Sequence, residues 1–185
     1  MPRVDLIELT PGHALRRAVV DLLPLPEQEQ YSGHAEETLR EADDDPARTA
    51  FAIVEDGRAV GFGVLDRGPL VAELTVRPRR TVLLRAFYVD AADQGRGLGQ
   101  AAVALLPSFA ARMAPDATTM VLTINVANPV AARTYVGGGF TDTGRRYDGG
   151  QHGPQYVLEL DLVRARRAHR LTRLSRRPAS RAGHR

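Results

Sequence analysis

The first half of the chain alternates between stretches in which hydrophobic residues have strand spacing and stretches in which they have helical spacing. Residues 4–9 predict a first strand, which the sequence Thr-Pro-Gly ends. Apolar residues at helical intervals predict a helix over residues 13–23, and the prolines at positions 24 and 26 break it. A second helix is predicted over residues 33–42.

Three strands are predicted next. Two apolar runs, 51–54 and 59–65, flank the sequence Glu-Asp-Gly-Arg. An Asp-Gly pair between such runs supplies the positive φ angles of a tight hairpin, so the two runs should be antiparallel neighbours. Alternating apolar residues predict that strand structure continues over residues 70–76. A basic turn then leads into the most hydrophobic strand, residues 81–89.

The second half of the chain opens with a glycine-rich loop, residues 90–99. A helix should follow it, because apolar residues from Leu98 to Met113 share one face, and Pro107 inside this pattern predicts a kink. The last predicted elements are a strand, a short helix and two strands, over residues 118–124, 129–136, 140–146 and 155–160. Hairpins and crossovers both occur in this order, which predicts a mixed α/β sheet rather than a purely parallel one.

Composition narrows the class of protein. The 185 residues, 43% hydrophobic and 25% charged, fit one globular domain with a sizeable core. Cysteine is absent, which excludes disulfides, thiol nucleophiles and most structural zinc sites. The start of the chain has no apolar signal segment and no stretch is long enough to span a bilayer, so the expected compartment is the cytoplasm.

The basic charge of the chain is concentrated at its C-terminal end. All 25 basic residues are arginines, and nine of them lie in residues 163–185, where no acidic residue occurs. Residues 1–162 therefore carry 16 arginines and 22 acidic residues, a net charge of −6, whereas the tail carries +9. We interpret residues 1–162 as the folded domain and residues 163–185 as an arginine-rich tail that starts as a helix and is disordered beyond Pro178.

The sequence Gln94-Gly95-Arg96-Gly97-Leu98-Gly99 follows a buried strand and opens a helix. Its glycines let backbone amides approach a ligand, the helix N-terminus adds partial positive charge, and Arg96 adds a cation. Together these features predict a pyrophosphate site. A P-loop would need a lysine, which the chain lacks, and a dinucleotide fingerprint would need glycine where Gln100 stands. The alternative is a tight strand-to-helix turn without a ligand.

A second motif lies about thirty residues further along the chain, where Asn128, Ala131, Tyr135 and the pair Gly139-Phe140 stand at fixed offsets. Together with the glycine-rich loop, these residues resemble the GCN5-related N-acetyltransferase (GNAT) family, over roughly residues 4–160. The resemblance implies a single GNAT-like α/β domain, with a mixed, mostly antiparallel central sheet that helices flank and that is splayed at the acetyl-CoA site. It also implies acetyl-CoA as co-substrate, direct transfer of the acetyl group to a primary amine, and no metal.

The resemblance assigns roles residue by residue. Backbone groups at the strand end from Phe87 to Val89 would pair with the pantetheine arm of acetyl-CoA. The loop would hold the pyrophosphate through amides, with the Arg96 side chain nearby; its residues are Gln94, Gly95, Arg96, Gly97 and Gly99. Asn128 would contact the cofactor. Tyr135 would protonate the departing thiolate, a role that suits a phenol with a pKa of about 10.

Each assignment has a structural alternative. Asn128 before a proline is also a helix N-cap, and the alternative for Tyr135 is packing against the sheet. The general base is unassigned, because many family members use a glutamate on the strand before the loop and residues 81–89 contain no carboxylate. Glu73 is either a substitute base or a surface residue, and His152 is interpreted as a turn residue.

In the family the acceptor usually binds near the first two helices and the last hairpin. The helical part of this region is acidic, with one arginine, Arg40, against eight carboxylates: Glu27, Glu29, Glu36, Glu37, Glu41, Asp43, Asp44 and Asp45. The functional interpretation is a small cationic acceptor attracted by the local field, and the alternative is a solvated acidic helix. A weaker resemblance to the polyamine and diamine acetyltransferase branch rests on residues 25–31 and 60–62.

A different class of function is a nucleic-acid or acidic-partner binding module led by the tail, with the body only binding CoA. The tail arginines would bind phosphate with steep salt dependence, but the tail has no aromatic residue and the body is acidic. A chain that ends at Leu162 is expected to fold and to bind acetyl-CoA. The alternative is that Val163, Leu171 and Leu174 dock a helix onto the body or onto a second subunit, which leaves a homodimer open. No membrane partner is expected.

Overall fold

The computed structural model describes residues 3–150 and 153–175 and arranges them around one seven-stranded sheet. The strands are β1 (Val4–Glu8), β2 (Arg48–Glu55), β3 (Arg58–Asp66), β4 (Thr81–Val89), β5 (Thr119–Asn125), β6 (Thr141–Tyr147) and β7 (Gln155–Asp161). Their order across the sheet is β1-β2-β3-β4-β5-β7-β6. Neighbouring strands are antiparallel except β4 and β5, which are parallel. The predicted mixed, mostly antiparallel sheet is confirmed.

Helices cover both faces of this sheet. They are α1 (Arg16–Val20), α2 (Pro26–Ser32), α3 (Ala35–Asp44), α4 (Val71–Leu74), α5 (Leu98–Met113), α6 (Pro129–Gly137) and α7 (Leu162–Ser175). Helix α5 packs on one face, where the ring centroids of Phe109 and Phe51 are 4.9 Å apart. Helices α1 and α3 cover the other face through the buried residues Val19 and Leu39. None of the helices in the described ranges is long and apolar enough to cross a membrane.

The sheet opens between β4 and β5. These strands pair only over residues 81–83, opposite residues 119–121, and no pairing follows beyond that point. A bulge in β4 accompanies the opening, because the register with β3 shifts between Phe62 and Val64 and Ala86 has a φ of +49°. The predicted splay is therefore present, and it leaves the ends of both strands free to line a cavity.

In the first half of the chain one prediction is wrong and one helix was not predicted. Residues 70–76 do not continue a strand but contain the helical turn α4. Val71 and Leu74 are three residues apart and both bury against the sheet, whereas Val76 is 89% exposed, so helical spacing prevails over alternation. The first predicted helix does end before Pro24, but α2 was not predicted: Pro26 begins it, because the first turn of a helix tolerates the missing N–H of proline.

The predicted helical start of the tail is present and packs on the body. Helix α7 begins at Leu162, which is fully buried, and Ala165 packs against the main core. The Nε of Arg166 donates to the carbonyl oxygen of Pro107 in α5, 3.2 Å away. Val163, which the docking alternative placed on the packing face, is 41% exposed. The first turn of α7 therefore contacts the domain through Leu162, Ala165 and Arg166 rather than through Val163.

Several predictions concern residues of the tail that lie outside the described residues. These are the disorder beyond Pro178 and the arginines among residues 176–185. The side chains of Leu171 and Leu174 are likewise not described. The boundary after residue 162 and the nucleic-acid alternative therefore stay predictions.

Shortening the chain measures how much α7 stabilises the domain. A chain that ends at Leu162 should lose roughly 1–2 kcal/mol of unfolding free energy, because the packing of Ala165 and the hydrogen bond of Arg166 are removed. Its melting temperature should fall by about 2–8 °C, whereas a chain that ends at Ser175 should melt like the full-length protein. Equal melting temperatures for all three chains would contradict this role of α7. Acetyl-CoA affinity, measured by calorimetry, should be the same for all three.

Candidate active site

A cavity of about 430 Å³ lies where β4 and β5 separate. Most of its lining comes from the ends of these strands, the glycine-rich loop with the start of α5, and helices α2 and α6. The predicted site residues in the lining are Phe87, Val89, Gln94, Gly95, Gly97, Gly99, Asn128 and Tyr135. The fold therefore brings residues of both predicted motifs into the lining of one cavity.

The glycine-rich loop presents its backbone to this cavity. Gly95 and Gly97 have φ angles of +76° and +79°, in the left-handed region that favours glycine, and Gly97 is the N-cap of α5. A Cβ added at either position would meet no heavy atom within 4 Å, so the space beside these glycines is open. An open stretch of backbone at the N-terminus of a long helix fits the pyrophosphate of acetyl-CoA.

Arg96 is the predicted site residue that does not line the cavity. Its guanidinium donates to the carboxylates of Asp93, at 2.6 Å, and Glu55, at 2.7 Å. Arg58 donates two further hydrogen bonds to Asp93, at 2.7 and 2.8 Å, and holds the pKa of that buried carboxyl below its usual range. The network ties the loop to the β2–β3 hairpin. A contact of Arg96 with pyrophosphate stays a prediction.

Removing the negative charge of Asp93 should destabilise the domain. Asp93→Asn leaves two arginines sharing Glu55, and the loss should be about 1–3 kcal/mol in urea unfolding at pH 7. Because the folded-state pKa of Asp93 is lowered, its contribution is present above about pH 4 and is lost as the pH falls through the lowered value. The difference between the two proteins should therefore shrink below pH 4.

A matched control for this variant is Asp116→Asn. Asp116 also accepts two hydrogen bonds from one arginine, Arg67, but its side chain is 50% exposed. The control should lose clearly less stability than Asp93→Asn does, because exposed ion pairs contribute little. Equal losses for the two variants would show that the Asp93 network does not stabilise the loop.

Gln94 makes a contact that the sequence did not predict. Its Nε2 donates to the carbonyl oxygen of Val89, at 3.0 Å, and to Oε1 of Gln28, at 2.8 Å. The Nε2 of Gln28 donates back to Oε1 of Gln94 at 3.3 Å. Gln28 belongs to α2, in which no residue is fully buried. The amide pair thus joins this helix to the glycine-rich loop, and no local pattern could have indicated it because the partners are far apart in sequence.

Tyr135 lies on α6 with its ring between Phe87 and Phe140, at centroid distances of 5.9 and 5.6 Å. The residue is 8% exposed, and burial raises the pKa of its hydroxyl. Among the described residues the hydroxyl has no hydrogen-bond partner. A neutral phenol that lines the cavity and is free to donate is the state that the predicted proton donor needs.

Both interpretations of Asn128 have structural support. Its Oδ1 accepts a hydrogen bond from the backbone N–H of Ala131 at 3.1 Å, and Pro129 occupies the first turn of α6, so Asn128 is the N-cap. The same residue lines the cavity. Capping uses the side-chain oxygen alone, which leaves the amide nitrogen for a ligand.

No carboxylate in the described lining is placed to act as a general base. Arg85 lines the cavity on β4, the strand on which a glutamate was sought. Glu73 is exposed on α4 and does not line the cavity, so it is a surface residue. Asp93 lines the cavity, but two arginines hold its carboxylate. His152 lies outside the described residues, and no cluster within them could hold a metal ion.

The predicted acidic surface covers α2 and α3, beside the cavity. Part of its charge is neutralised by ion pairs with Arg16, Arg40 and Arg48. Glu27 and Glu29 form no ion pair within the described part of the chain, and both lie on α2, which contributes to the cavity lining. Helix α2 therefore retains negative charge near the cavity that it helps to line.

Comparison with known proteins assigns these features to a family. The sequence model of the Acetyltransferase (GNAT) family matches residues 16–140, about two-thirds of the chain, and this range contains both motifs. The chain belongs to the GNAT family. It is therefore an acyltransferase, and membership of this family makes acetyl-CoA its co-substrate.

Individual proteins resemble this chain in sequence or in fold. The N-acetyltransferase YbbJ of Bacillus subtilis (strain 168) is 27% identical over 132 residues, which cover 71% of this chain and 82% of that protein. Aminoglycoside acetyltransferase AAC(6')-Ib, solved with coenzyme A, has a TM-score of 0.71 and 18% identity, and the match covers 92% of this chain and 99% of that one. Spermidine N-acetyltransferase from Vibrio cholerae, solved with CoA and spermine, has a TM-score of 0.65, 16% identity and coverages of 88% and 97%. At such identities the two solved structures establish the fold alone.

Proposed function

We propose that this GNAT enzyme transfers the acetyl group of acetyl-CoA to a primary amine by direct attack, with both substrates bound together. The observation that carries the proposal is the cavity between β4 and β5, where the open backbone of the loop, the free end of β4 and the Tyr135 hydroxyl meet. The chain has no cysteine that could carry the acetyl group as a thioester. A single transfer step therefore fits the residues that line the cavity.

The binding roles follow from the groups that each element exposes. The backbone N–H groups around Gly95 and Gly97 would hold the pyrophosphate. The free strand end from Phe87 to Val89 would pair with the pantetheine arm, and the amide nitrogen of Asn128 would contact the co-substrate. Because the Phe87 and Tyr135 rings are 5.9 Å apart, the strand end that would hold the arm lies beside the phenol.

The acetyl transfer needs one proton donor and one route for the proton of the amine. The amine nitrogen forms a bond to the acetyl carbon as the carbon–sulfur bond breaks, and Tyr135 donates its hydroxyl proton to the departing sulfur. The proton that the amine nitrogen loses returns through water to the tyrosinate. Burial favours the neutral phenol, so Tyr135 is protonated again before the next turnover.

The rate should depend on pH through the amine alone. An alkylamine with a pKa of about 10 is mostly protonated at neutral pH, and the described cavity lining contains no histidine and no cysteine. We expect kcat/KM to rise about tenfold per pH unit from pH 6 to pH 9, in initial rates at saturating acetyl-CoA. A plateau that begins near pH 7 would contradict this and reveal a base in the protein. His152→Gln would then test whether that base is His152, which lies outside the described residues.

For the acceptor, the proposal is a small amine that is cationic in solution. The acidic surface of α2 and α3 beside the cavity would attract such a molecule. The names of two structural neighbours state acetylation of spermidine and of aminoglycosides, and both acceptors are amines. These observations support an amine acceptor. They do not specify its other chemical groups, which must fit the residues that line the cavity.

A panel of amines tests the proposed transfer. Polyamines, aminoglycosides, alkylamines and amino acids are each incubated with acetyl-CoA and the enzyme, and CoA release is measured while mass spectrometry detects the amide. At least one amine should give an N-acetyl product, and its initial velocities should give intersecting lines against acetyl-CoA concentration. Binding of acetyl-CoA without transfer to any amine would contradict the proposed activity. Parallel lines would contradict direct attack.

A further inference from the structure

Arg85 is a charged residue of the cavity lining, and its surroundings indicate which chemical group the acceptor carries besides its amine. Arg85 lies on β4 immediately before the bulge at Ala86, and it lines the cavity. Its side chain is 36% exposed, and its Nη1 donates to Oδ2 of Asp66 at 3.0 Å. Within the described ranges Nε and Nη2 of Arg85 make no hydrogen bond. One edge of this guanidinium is therefore held in place while the rest remains available.

Arg85 is not the only partner of the buried Asp66 carboxylate. Its side chain is 3% exposed, its Oδ1 accepts a hydrogen bond from the Gly68 N–H at 2.6 Å, and Arg48 approaches its Oδ2 to 3.3 Å. Arg48 does not line the cavity. Asp66 therefore acts as a fixed support that orients Arg85, and the charge of Arg85 is not fully used in neutralising it.

The other charged group of the described lining, Asp93, is not available to a substrate. Its carboxylate is held by Arg58 and Arg96. A polyamine that entered the cavity would meet no free carboxylate there for its second ammonium group, and it would meet the like charge of Arg85. The polar side chains that α2, β5 and β7 contribute to the lining beyond Gln28 and Gln30 are neutral: Tyr31, Ser32, Thr123, Asn125 and Gln155.

We propose that the acceptor carries an anionic oxygen group, a carboxylate or a phosphate, a few bonds from its primary amine, and that Arg85 binds this group. A guanidinium binds such groups through parallel N–H···O hydrogen bonds. Arg85 lies on β4 immediately before the bulge, and the strand end proposed to hold the acetyl arm begins two residues later, at Phe87, which suits a molecule of amino-acid size. The inference rests on the proposed acetyl transfer to an amine and specifies its substrate class. The acidic surface of α2 and α3 then attracts the ammonium group, and Arg85 selects the acidic substituent.

Matched amines separate this inference from simple recognition of an ammonium group. The pairs are β-alanine with ethylamine, 4-aminobutyrate with propylamine, and O-phosphoethanolamine with ethanolamine. In at least one pair the acidic member should have a kcat/KM about 10- to 100-fold higher than its partner. The first two pairs report a carboxylate and the third reports a phosphate. Equal values within all three pairs would overturn the inference.

Variants test whether Arg85 causes the preference for the acidic amine of each pair. Arg85→Gln should abolish the preference for the acidic member, and Arg85→Lys should retain part of it because the charge is kept. Arg48→Gln is the matched control, since it removes an arginine from the same carboxylate without touching the cavity, and it should leave the ratio unchanged. An unchanged ratio in Arg85→Gln, or an equal loss in Arg48→Gln, would overturn the role of Arg85. Circular dichroism and acetyl-CoA affinity show that each variant is folded.

A binding measurement distinguishes failure of this inference from failure of the proposed transfer. N-acetyl-β-alanine, N-acetyl-4-aminobutyrate and N-acetylphosphoethanolamine are titrated into the CoA-loaded protein and into CoA-loaded Arg85→Gln. If no amine is acetylated but one of these anions binds the wild type and not the variant, the transfer proposal fails and the Arg85 site stands. If no amine is acetylated and none of the anions distinguishes the wild type from the variant, both the transfer proposal and the Arg85 inference fail.

Discussion

Replacing Gly97 by aspartate should weaken acetyl-CoA binding about 100-fold, the loss expected when charged hydrogen bonds to a phosphate are removed. Gly97 has a φ of +79° at the N-terminus of α5, and its missing Cβ faces open space. An aspartate there would place a carboxylate where the pyrophosphate is proposed to bind. It would also oppose the co-substrate by charge repulsion, and the measurement is a calorimetric dissociation constant.

Two variants isolate the cause of this loss. Gly12→Asp makes the same chemical change at a glycine with a φ of +82° and no heavy atom near its Cβ position, but outside the cavity lining. It should cost similar folding stability and leave acetyl-CoA affinity unchanged. Gly97→Ala adds a methyl group without charge and should lose less affinity than Gly97→Asp. If Gly97→Asp binds acetyl-CoA as tightly as the wild type does, the pyrophosphate site lies elsewhere.

Removing the hydroxyl in Tyr135→Phe should lower kcat by about 10²- to 10⁴-fold, the usual contribution of a positioned acid. Acetyl-CoA affinity should hardly change, because the ring keeps its contacts with Phe87 and Phe140. Burial raises the pKa of the hydroxyl, so the wild-type acid stays protonated and kcat should not fall on the alkaline side up to about pH 10. Single-turnover rates measure the chemical step directly.

Tyr88→Phe is the control for this variant. Tyr88 is also buried in the cavity lining, but its hydroxyl donates to the carbonyl oxygen of Leu22 at 3.1 Å, and burial raises its pKa to about 12. Loss of that hydrogen bond should cost about 1 kcal/mol of stability and leave the single-turnover rate within a few-fold of the wild type. An undiminished rate in Tyr135→Phe would restrict Tyr135 to packing, the alternative that its sequence context left open.

Much of the fold could be predicted because its signals are local. The Asp56-Gly57 turn has positive φ angles at both residues, as the hairpin prediction requires, and it joins β2 and β3 as antiparallel neighbours. The predictions failed where two local signals competed. Residues 70–76 alternate like a strand but also place Val71 and Leu74 at helical spacing, and burial of these two side chains decided for the helix. At Pro26 the same residue type fits both the end and the start of a helix.

The candidate site also has features that local sequence predicts and features that it does not predict. Glycines at positions 95 and 97 and the helix after them could be recognised along the sequence, because a backbone cradle needs particular residue types at adjacent positions. The side chain of Arg96 was expected near the ligand, yet the structure directs it to Asp93 and Glu55. Glu55 lies on another strand, and the spacing within the loop carries no information about that strand.

The sequence by itself determined most of the elements, the order of hairpins and crossovers, and the two motifs of the cofactor cavity, because periodicity, turn chemistry and glycine φ angles act between near neighbours. Only the tertiary structure decided which polar and charged side chains pair with each other. It placed Gln28 of α2 against Gln94, paired Arg96 with Glu55, and held Arg85, which lines the cavity, against Asp66. The physical reason is that a charge is neutralised by whatever group the folded chain brings within a few ångströms, and that group is set by sheet register and helix packing rather than by separation along the chain.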